Sequence, residues 1–199
     1  AVENLGEGIF LSFDPDAIRS WIKSNGADQH LSKHREAFKI WNKEHGLTED
    51  KFQWPGGAYV MLHSLAHLLI TEAALDCGYG ASAIKERIYA FDDIGYGILL
   101  YTGGSGSEGS LGGLVSLADR IDDLLAMALE RAALCSNDPF CASHDPNSEL
   151  EKRYAHGAAC HGCLLIAETS CERRNEFLDR ALVVPTLIQR DAAFFSDWP

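Results

Sequence analysis

The sequence predicts an α+β protein, mainly helical around a small β-sheet, with a cysteine-rich zinc site towards the C-terminus. Apolar residues recur at helical spacing in several long segments. Two short strand-like segments, 86–91 and 97–102, are separated by a turn. Five of the six cysteines fall in the last third of the 199 residues. This length suits one well-packed domain, or a domain with a small appendage.

Residues 1–55 are expected to hold a strand and two helices that lead into the main domain. Asp14 and Pro15 are helix-start signals. The pairs Asn25-Gly26 and His45-Gly46 are interpreted as the C-terminal ends of the two helices. The predicted elements are a strand over 9–13, a helix over 14–22 and a helix over 31–45.

The main domain is expected over residues 56–184, followed by a C-terminal tail over 185–199. Its predicted elements are a helix over 58–76, strands over 86–91 and 97–102, a helix over 114–134 and a helix over 171–182. The first of these helices is apolar nearly all round, which predicts a core helix. Thr169 and Glu172 match a capping box and predict the last helix.

The net charge and the first residues of the chain indicate which kinds of protein this sequence could be. The formal net charge of −12 argues against a free-standing DNA-binding protein, because phosphate binding depends on clustered Lys and Arg. The chain begins with Ala1 and its methionines are internal, so a piece of a longer protein is expected. Residues 1–8 lack the features of a signal peptide. A cytoplasmic, reducing location is expected, where clustered thiols are more often metal ligands than disulfides.

The cysteines of residues 135–182 predict one structural zinc ion. Cys160 and Cys163 form a C-x-x-C knuckle, which can hold one side of a tetrahedral ion. Cys141 follows a turn that would aim its sulfur inward. Cys171 is expected in the first turn of a helix, where the backbone favours a thiolate. With five candidates for four places, Cys135 is the most doubtful ligand, because it could equally be a buried thiol at a helix end.

Other interpretations of the thiols remain open. Cys160 and Cys163 could form a redox pair, or the cysteines could be buried without a metal. His144, His156 or His161 could replace one thiolate.

A second constellation lies on the long apolar helix. His63 and His67 have the spacing of zinc-peptidase ligands, and Glu72 could be a third ligand. A metal-dependent hydrolase is therefore an alternative function. Ser64 stands where such enzymes need a general-base glutamate, so the simpler interpretation is a polar pocket formed by His63, His67 and Glu72.

Two surface features are also candidates for binding. Residues 103–113 form a glycine-rich loop between a predicted strand and a predicted helix, where phosphate-binding loops occur. Glu108 would repel a phosphate, which favours a flexible contact loop over anion binding. Arg173, Arg174 and Arg180 form a local basic patch on the last predicted helix. The patch could contact nucleic acid or an acidic partner, or could be solvated surface.

Five motifs carry a family resemblance, in order along 56–184: LHSLAH at 62–67, GILLYT at 97–102, SLGGL at 110–114, GAACHGC at 157–163 and TSCERRNEFLDR at 169–180. In these motifs the sequence resembles the MZB family, the zinc-binding domain of MrfA-type repair helicases and of DrmB proteins of the DISARM anti-phage system. The resemblance is closer to the DrmB branch, since Cys135 and Cys141 are well separated and the knuckle reads Ala-Cys-His-Gly-Cys.

The resemblance implies a non-catalytic accessory domain that binds Zn²⁺. It implies work on DNA during defence against phage, with a DrmA-like helicase subunit and other defence proteins as partners and no membrane. Any ATPase or helicase activity is expected in a partner subunit or elsewhere in the longer chain. The zinc domain of an MrfA-type DNA repair helicase is the alternative within the same family.

Overall fold

A long apolar helix, α3 (Gly57–Cys77), lies at the centre of the fold. The computed structural model describes residues 6–48, 52–80, 82–103, 112–145, 147–148, 151 and 154–197. Every residue of α3 from 58 to 70 is buried. The helix is long and apolar enough to cross a membrane, but 83% of its apolar window is covered by the rest of the protein. It is therefore the predicted core helix.

Three antiparallel strands pack beside α3: β1 (Gly8–Phe13), β2 (Ile84–Phe91) and β3 (Gly95–Thr102), in the order β1-β3-β2. Ile9 pairs with Leu100, and Ile88 pairs with Ile98. The buried residues of β2 alternate along the strand as Ile84, Glu86 and Ile88. This alternation brings one carboxylate, that of Glu86, into the core. The predicted small sheet is confirmed.

Two helices, α1 (Pro15–Ile22) and α2 (Asn25–Glu44), precede α3. Helix α2 begins well before the predicted start near residue 31. Ser24 caps it by accepting a hydrogen bond from the Ala27 N–H at 3.4 Å. Gly26 is not a stop, because it lies in the first turn of α2. A Cβ at this position would lie 2.0 Å from the Asp191 carbonyl oxygen. The glycine permits close packing of α2 against the C-terminal segment.

The predicted helix over 114–134 is divided in the structure. A single turn, α4 (Gly113–Ser116), leads through a 3-10 segment (Leu117–Arg120) into α5 (Ile121–Ala133). The backbone at Arg120 leaves helical geometry with φ −128°, where its side chain pairs with Asp76 at 2.7 Å. The buried residues of α5, Leu124, Ala128, Leu129 and Ala132, recur at helical spacing.

The helix predicted over 171–182 is wrong. Arg174, Asn175 and Phe177 have φ values of 55°, 62° and 61°, which a right-handed helix does not allow. The backbone N–H groups of Arg173 and Asn175 donate instead to the Cys171 sulfur, at 3.3 and 3.2 Å. The capping-box signal is thus overridden by contacts of Cys171. In this stretch the structure has only a short 3-10 helix, Arg180–Leu182.

The predicted tail is packed against the rest of the protein as far as Phe195. The N–H of Phe194 donates to the Leu182 carbonyl oxygen at 2.9 Å. The indole N–H of Trp21 donates to the Ala192 carbonyl oxygen at 2.8 Å. Ala192 is fully buried. The chain end therefore covers α1 and α2 without regular structure of its own.

Asp179 joins α2 to the C-terminal region. Its Oδ2 atom lies 2.7 Å from the Nε2 atoms of both His30 and His34. Its Oδ1 atom accepts hydrogen bonds from the N–H groups of Ala158 at 3.1 Å and Ala181 at 2.9 Å. Burial acts to raise the pKa of Asp179, but the imidazoles outweigh burial and hold this pKa well below its usual range.

Arg180 joins the end of α5 to the same region. Its side chain is fully buried. The guanidinium donates to the Ala132 carbonyl oxygen at 3.0 Å and pairs with Asp138. Arg180 is therefore a structural residue and not part of a surface patch.

We expect Asp179→Asn to lower the free energy of unfolding at pH 7 by about 3–5 kcal/mol, because the buried His34 and the partly buried His30 lose their carboxylate. Urea denaturation measures this loss. The contribution of Asp179 is present above the ordinary carboxyl pKa and is lost as the pH falls, since its folded pKa is lowered. Asp28→Asn breaks an exposed pair with Arg35 and should cost less than about 1 kcal/mol. Equal losses for the two variants would contradict this account.

Arg180→Ala should also destabilise the fold, by about 3–5 kcal/mol, because Asp138 would be left without its buried partner. The matched variant Arg174→Ala removes an exposed arginine and should change stability by less than about 0.5 kcal/mol. Thermal denaturation of both variants distinguishes a buried from a surface role. An Arg180→Ala protein as stable as the wild type would show that the buried pair is unimportant.

Candidate metal centres

Three groups of described side chains place possible metal-ligand atoms within 4.8 Å of one another. One group is Asp179 with His30 and His34. The second is the four-cysteine cluster, defined as Cys135, Cys141, Cys160 and Cys163. The third is the His–Glu–Cys cluster, defined as His63, His67, Glu86 and Cys171.

The sulfurs of the four-cysteine cluster are spaced as zinc ligands are. The Cys160 sulfur lies 3.5 Å from that of Cys135 and 3.6 Å from that of Cys163, and the Cys141 sulfur lies 3.6 Å from that of Cys163. Zn–S bonds of about 2.3 Å in a tetrahedron separate sulfurs by about 3.8 Å. A disulfide would need about 2.05 Å. The spacing fits a tetrathiolate site and not a disulfide.

Local backbone geometry orients these sulfurs. In the knuckle, the Gly162 N–H donates to the Cys160 sulfur and the Cys160 N–H donates to the Cys163 sulfur, both at 3.3 Å. The side-chain amide of Asn137 donates to the Cys160 sulfur at 3.2 Å. A Cβ at Gly162 would lie 3.1 Å from the Ser136 hydroxyl. The segment after α5 thus packs directly on the knuckle. The N–H donors of the segment and of the knuckle both favour negatively charged sulfur.

The thiols of the four-cysteine cluster shift one another's pKa values. A hydrogen bond from the Cys163 thiol lowers the pKa of Cys141 to about 6, with help from Arg180 and against the effect of burial. The same contact, together with burial, raises the pKa of Cys163. Burial and the neighbouring Cys160 sulfur raise the pKa of Cys135 to about 11. Thiols this close can all ionise only if a positive charge offsets their repulsion, which a bound divalent cation does.

The four cysteines that lie together are not the four that the sequence analysis favoured as zinc ligands. Cys135, the ligand in most doubt, lies with Cys141 and the knuckle. Cys171, expected as a ligand of the same ion, lies in the His–Glu–Cys cluster. The expectation for Cys171 depended on a helix that does not form. The three candidate replacements, His144, His156 and His161, lie outside the four-cysteine group.

The His–Glu–Cys cluster is enclosed by the core. The Nε2 atom of His63 lies 2.8 Å from Oε1 of Glu86 and 3.1 Å from the sulfur of Cys171. The Nε2 atom of His67 lies 3.3 Å from the same oxygen. Burial acts to lower the pKa of His63, but Glu86 and Cys171 outweigh it and raise this pKa to about 10. Burial acts to raise the pKa of Cys171, but the imidazoles lower it to about 7.

Glu72, predicted to share a pocket with the two histidines, is instead paired with Arg131 of α5. Glu86 takes its place, and sequence reasoning missed this residue. A usable signal was present in the sequence, since Glu86 begins the strand predicted over 86–91 and stands midway between Ile84 and Ile88, at the two-residue spacing of one strand face. A carboxylate among buried apolar residues is informative, because Glu is rarely buried without a partner.

The predicted basic patch does not form as one surface. Arg180 is buried, and Arg174 is exposed. The Arg173 guanidinium lies over the rings of Phe52 and Tyr59, at 5.4 and 5.5 Å from their centroids. Of the three, Arg174 alone extends freely into solvent. Most of the glycine-rich loop, residues 104–111 with Glu108, lies outside the described residues.

Comparison with known proteins relates this sequence to a family. Residues 65–164 match the family described as MZB, the MrfA Zn-binding domain. The match spans all of the four-cysteine cluster. The chain is also 42% identical over 200 residues to the DISARM protein DrmB of Bacillus paralicheniformis (strain ATCC 9945a / NCIMB 11709 / CD-2). That alignment covers 98% of this chain but 34% of the relative, so the chain spans about a third of the relative's length.

The family match covers half of the chain and includes the four-cysteine cluster, and the resemblance predicted from the five motifs is confirmed. The chain belongs to the MrfA Zn-binding (MZB) domain family.

Proposed function

We propose that this chain is a non-catalytic zinc-binding accessory module of a DrmB-like anti-phage defence protein, with one zinc ion held by the four-cysteine cluster. The observation that carries the proposal is the meeting of four sulfurs at zinc-ligand spacing inside the family match. The similarity to a DISARM protein supports the defence role.

A tetrathiolate site supports a structural role for the ion. Four cysteine ligands fill a tetrahedral zinc ion, so no coordination position remains for water or substrate. Such an ion would join the end of α5 to the knuckle, two stretches with little regular structure between them. Structural zinc contributes on the order of 10 kcal/mol to folding at neutral pH. In this module the ion would replace part of an apolar core.

The role on DNA belongs to a larger assembly. The net charge of −12 is unfavourable for phosphate, and Arg174 is the one freely exposed arginine of the predicted patch. We infer that DNA is contacted mainly by a helicase partner or by other parts of the longer protein, and that this module makes protein contacts. A cytoplasmic location fits such a role.

The hydrolase alternative lacks the arrangement it needs. His63 and His67 have no exposed surface, so a substrate could not reach a metal between them. Glu72 pairs with Arg131 and does not join them. We therefore favour the structural zinc module over the hydrolase.

Cys163→Ser should remove one zinc ion per chain and should destabilise the region around the knuckle, because three thiolates hold zinc less well than four. Native mass spectrometry counts the metal, and circular dichroism reports the fold. Cys77→Ser is the matched control, since Cys77 belongs to none of the three ligand groups. Full zinc content in Cys163→Ser would contradict the proposed site.

Association with the helicase subunit can be tested by co-purification of the full-length protein with the proteins encoded beside it. The wild type and Cys77→Ser should retain the helicase, whereas Cys163→Ser should lose most of it, because a helicase contact made by this module would require its zinc-bound fold. Retention of helicase by a zinc-free Cys163→Ser protein would show that this module is not needed for assembly. Failure of the zinc-loaded wild type to bind would contradict the proposed partner.

A further inference from the structure

In the His–Glu–Cys cluster, the Nδ1 atoms of both imidazoles are engaged by backbone carbonyl oxygens, and both Nε2 atoms face acceptor groups. The Nδ1 atom of His63 lies 3.1 Å from the Phe177 carbonyl oxygen, and that of His67 lies 2.8 Å from the Leu164 carbonyl oxygen. A carbonyl oxygen only accepts, so each Nδ1 carries the proton. In a neutral imidazole the Nε2 atom is then an unprotonated lone pair. Both Nε2 atoms face Glu86.

The groups opposite these lone pairs are acceptors as well. The Cys171 sulfur already accepts two backbone N–H groups, from Arg173 and Asn175, as metal-bound thiolates do. The Oε2 atom of Glu86 is buried and has no hydrogen-bond partner among the described residues. Acceptors therefore converge on one point, and a cation is the species that would satisfy them together.

We propose that the His–Glu–Cys cluster binds a second zinc ion through both imidazole Nε2 atoms, the carboxylate and the thiolate. Zinc accepts this mixture of nitrogen, oxygen and sulfur ligands, whereas Mg²⁺ and Ca²⁺ prefer oxygen alone. The N–O distances of 2.8 and 3.3 Å and the N–S distance of 3.1 Å lie within about 0.5 Å of the separations around tetrahedral zinc.

Charge balance supports a divalent ion. Two neutral imidazoles, a carboxylate and a thiolate carry two negative charges in total, which one zinc ion cancels. With Glu86 and Cys171 both ionised, protons alone could balance the charge only by charging both imidazoles, whose ring centroids lie 4.6 Å apart in a site without exposed surface. Two like charges at that distance in the core repel strongly. A neutral zinc site avoids this repulsion.

The second ion would be structural and distinct from the first. Its ligands come from α3, from β2 and from the irregular segment after the knuckle, so it would fasten that segment to the core helix. The two sites share a stretch of chain, because Leu164, which accepts from His67, follows Cys163 directly. All four ligands are buried, which leaves no room for substrate.

The direct test is a crystal structure of the wild-type protein, purified without chelator or added metal, with an anomalous difference map recorded at the zinc edge. We expect a peak about 2.0–2.3 Å from His63 Nε2, His67 Nε2, the Glu86 carboxylate and the Cys171 sulfur. A peak in the four-cysteine cluster without one here would overturn this inference and leave the first site intact. Absence of zinc from the four-cysteine cluster would instead count against the proposed function.

Variants provide an independent measurement in solution. Glu86→Gln and Cys171→Ser should each lower the zinc content by one ion per chain, counted by native mass spectrometry. Glu72→Gln is the matched control and should keep the wild-type zinc content, because Glu72 lies outside the cluster. Unchanged zinc content in a folded Cys171→Ser protein would refute the second site. If that variant does not fold, the anomalous map of the wild type decides.

Discussion

In the C-terminal third of this protein, four cysteine sulfurs from two separate stretches of chain converge within 4.8 Å of one another. The described residues after α5 contain one short 3-10 helix and otherwise lack regular elements. Fixing each such residue costs about 1–2 kcal/mol of backbone entropy, with few ladder hydrogen bonds to offset it. The metal ion proposed for Cys135, Cys141 and the knuckle would supply a strong local constraint in this region.

Buried polar groups attach this irregular region to the regular part of the fold. Asp179 contacts α2 through two histidines, and Arg180 contacts the end of α5. His63 and His67 of α3 contact the backbone of the same region through their Nδ1 atoms. Each contact is costly to break, because the group left behind would be buried without a partner. These polar contacts thus help to determine the conformation of the irregular C-terminal region.

Local patterns predicted the regular elements well, because helices and strands are determined largely by nearby residues. The core helix, both segments of the β2–β3 hairpin and the first strand lie within a few residues of their predicted positions. Long-range contacts caused the errors. Gly26 is explained by its approach to Asp191, and the helix predicted at Cys171 is replaced by turns around the Cys171 sulfur. The cysteine pattern predicted a zinc site, but the choice between Cys135 and Cys171 depends on tertiary structure.

The most direct test of this account is hydrogen exchange of Cys163→Ser compared with its control Cys77→Ser, because both variants leave the His–Glu–Cys cluster intact. If the four-cysteine cluster holds the ion that organises the C-terminal region, Cys163→Ser should lose amide protection in residues 135–184. Protection in the centre of α3 and in the β2–β3 hairpin should fall much less. Unchanged protection of residues 135–184 in a Cys163→Ser protein that has lost this ion would contradict the central claim.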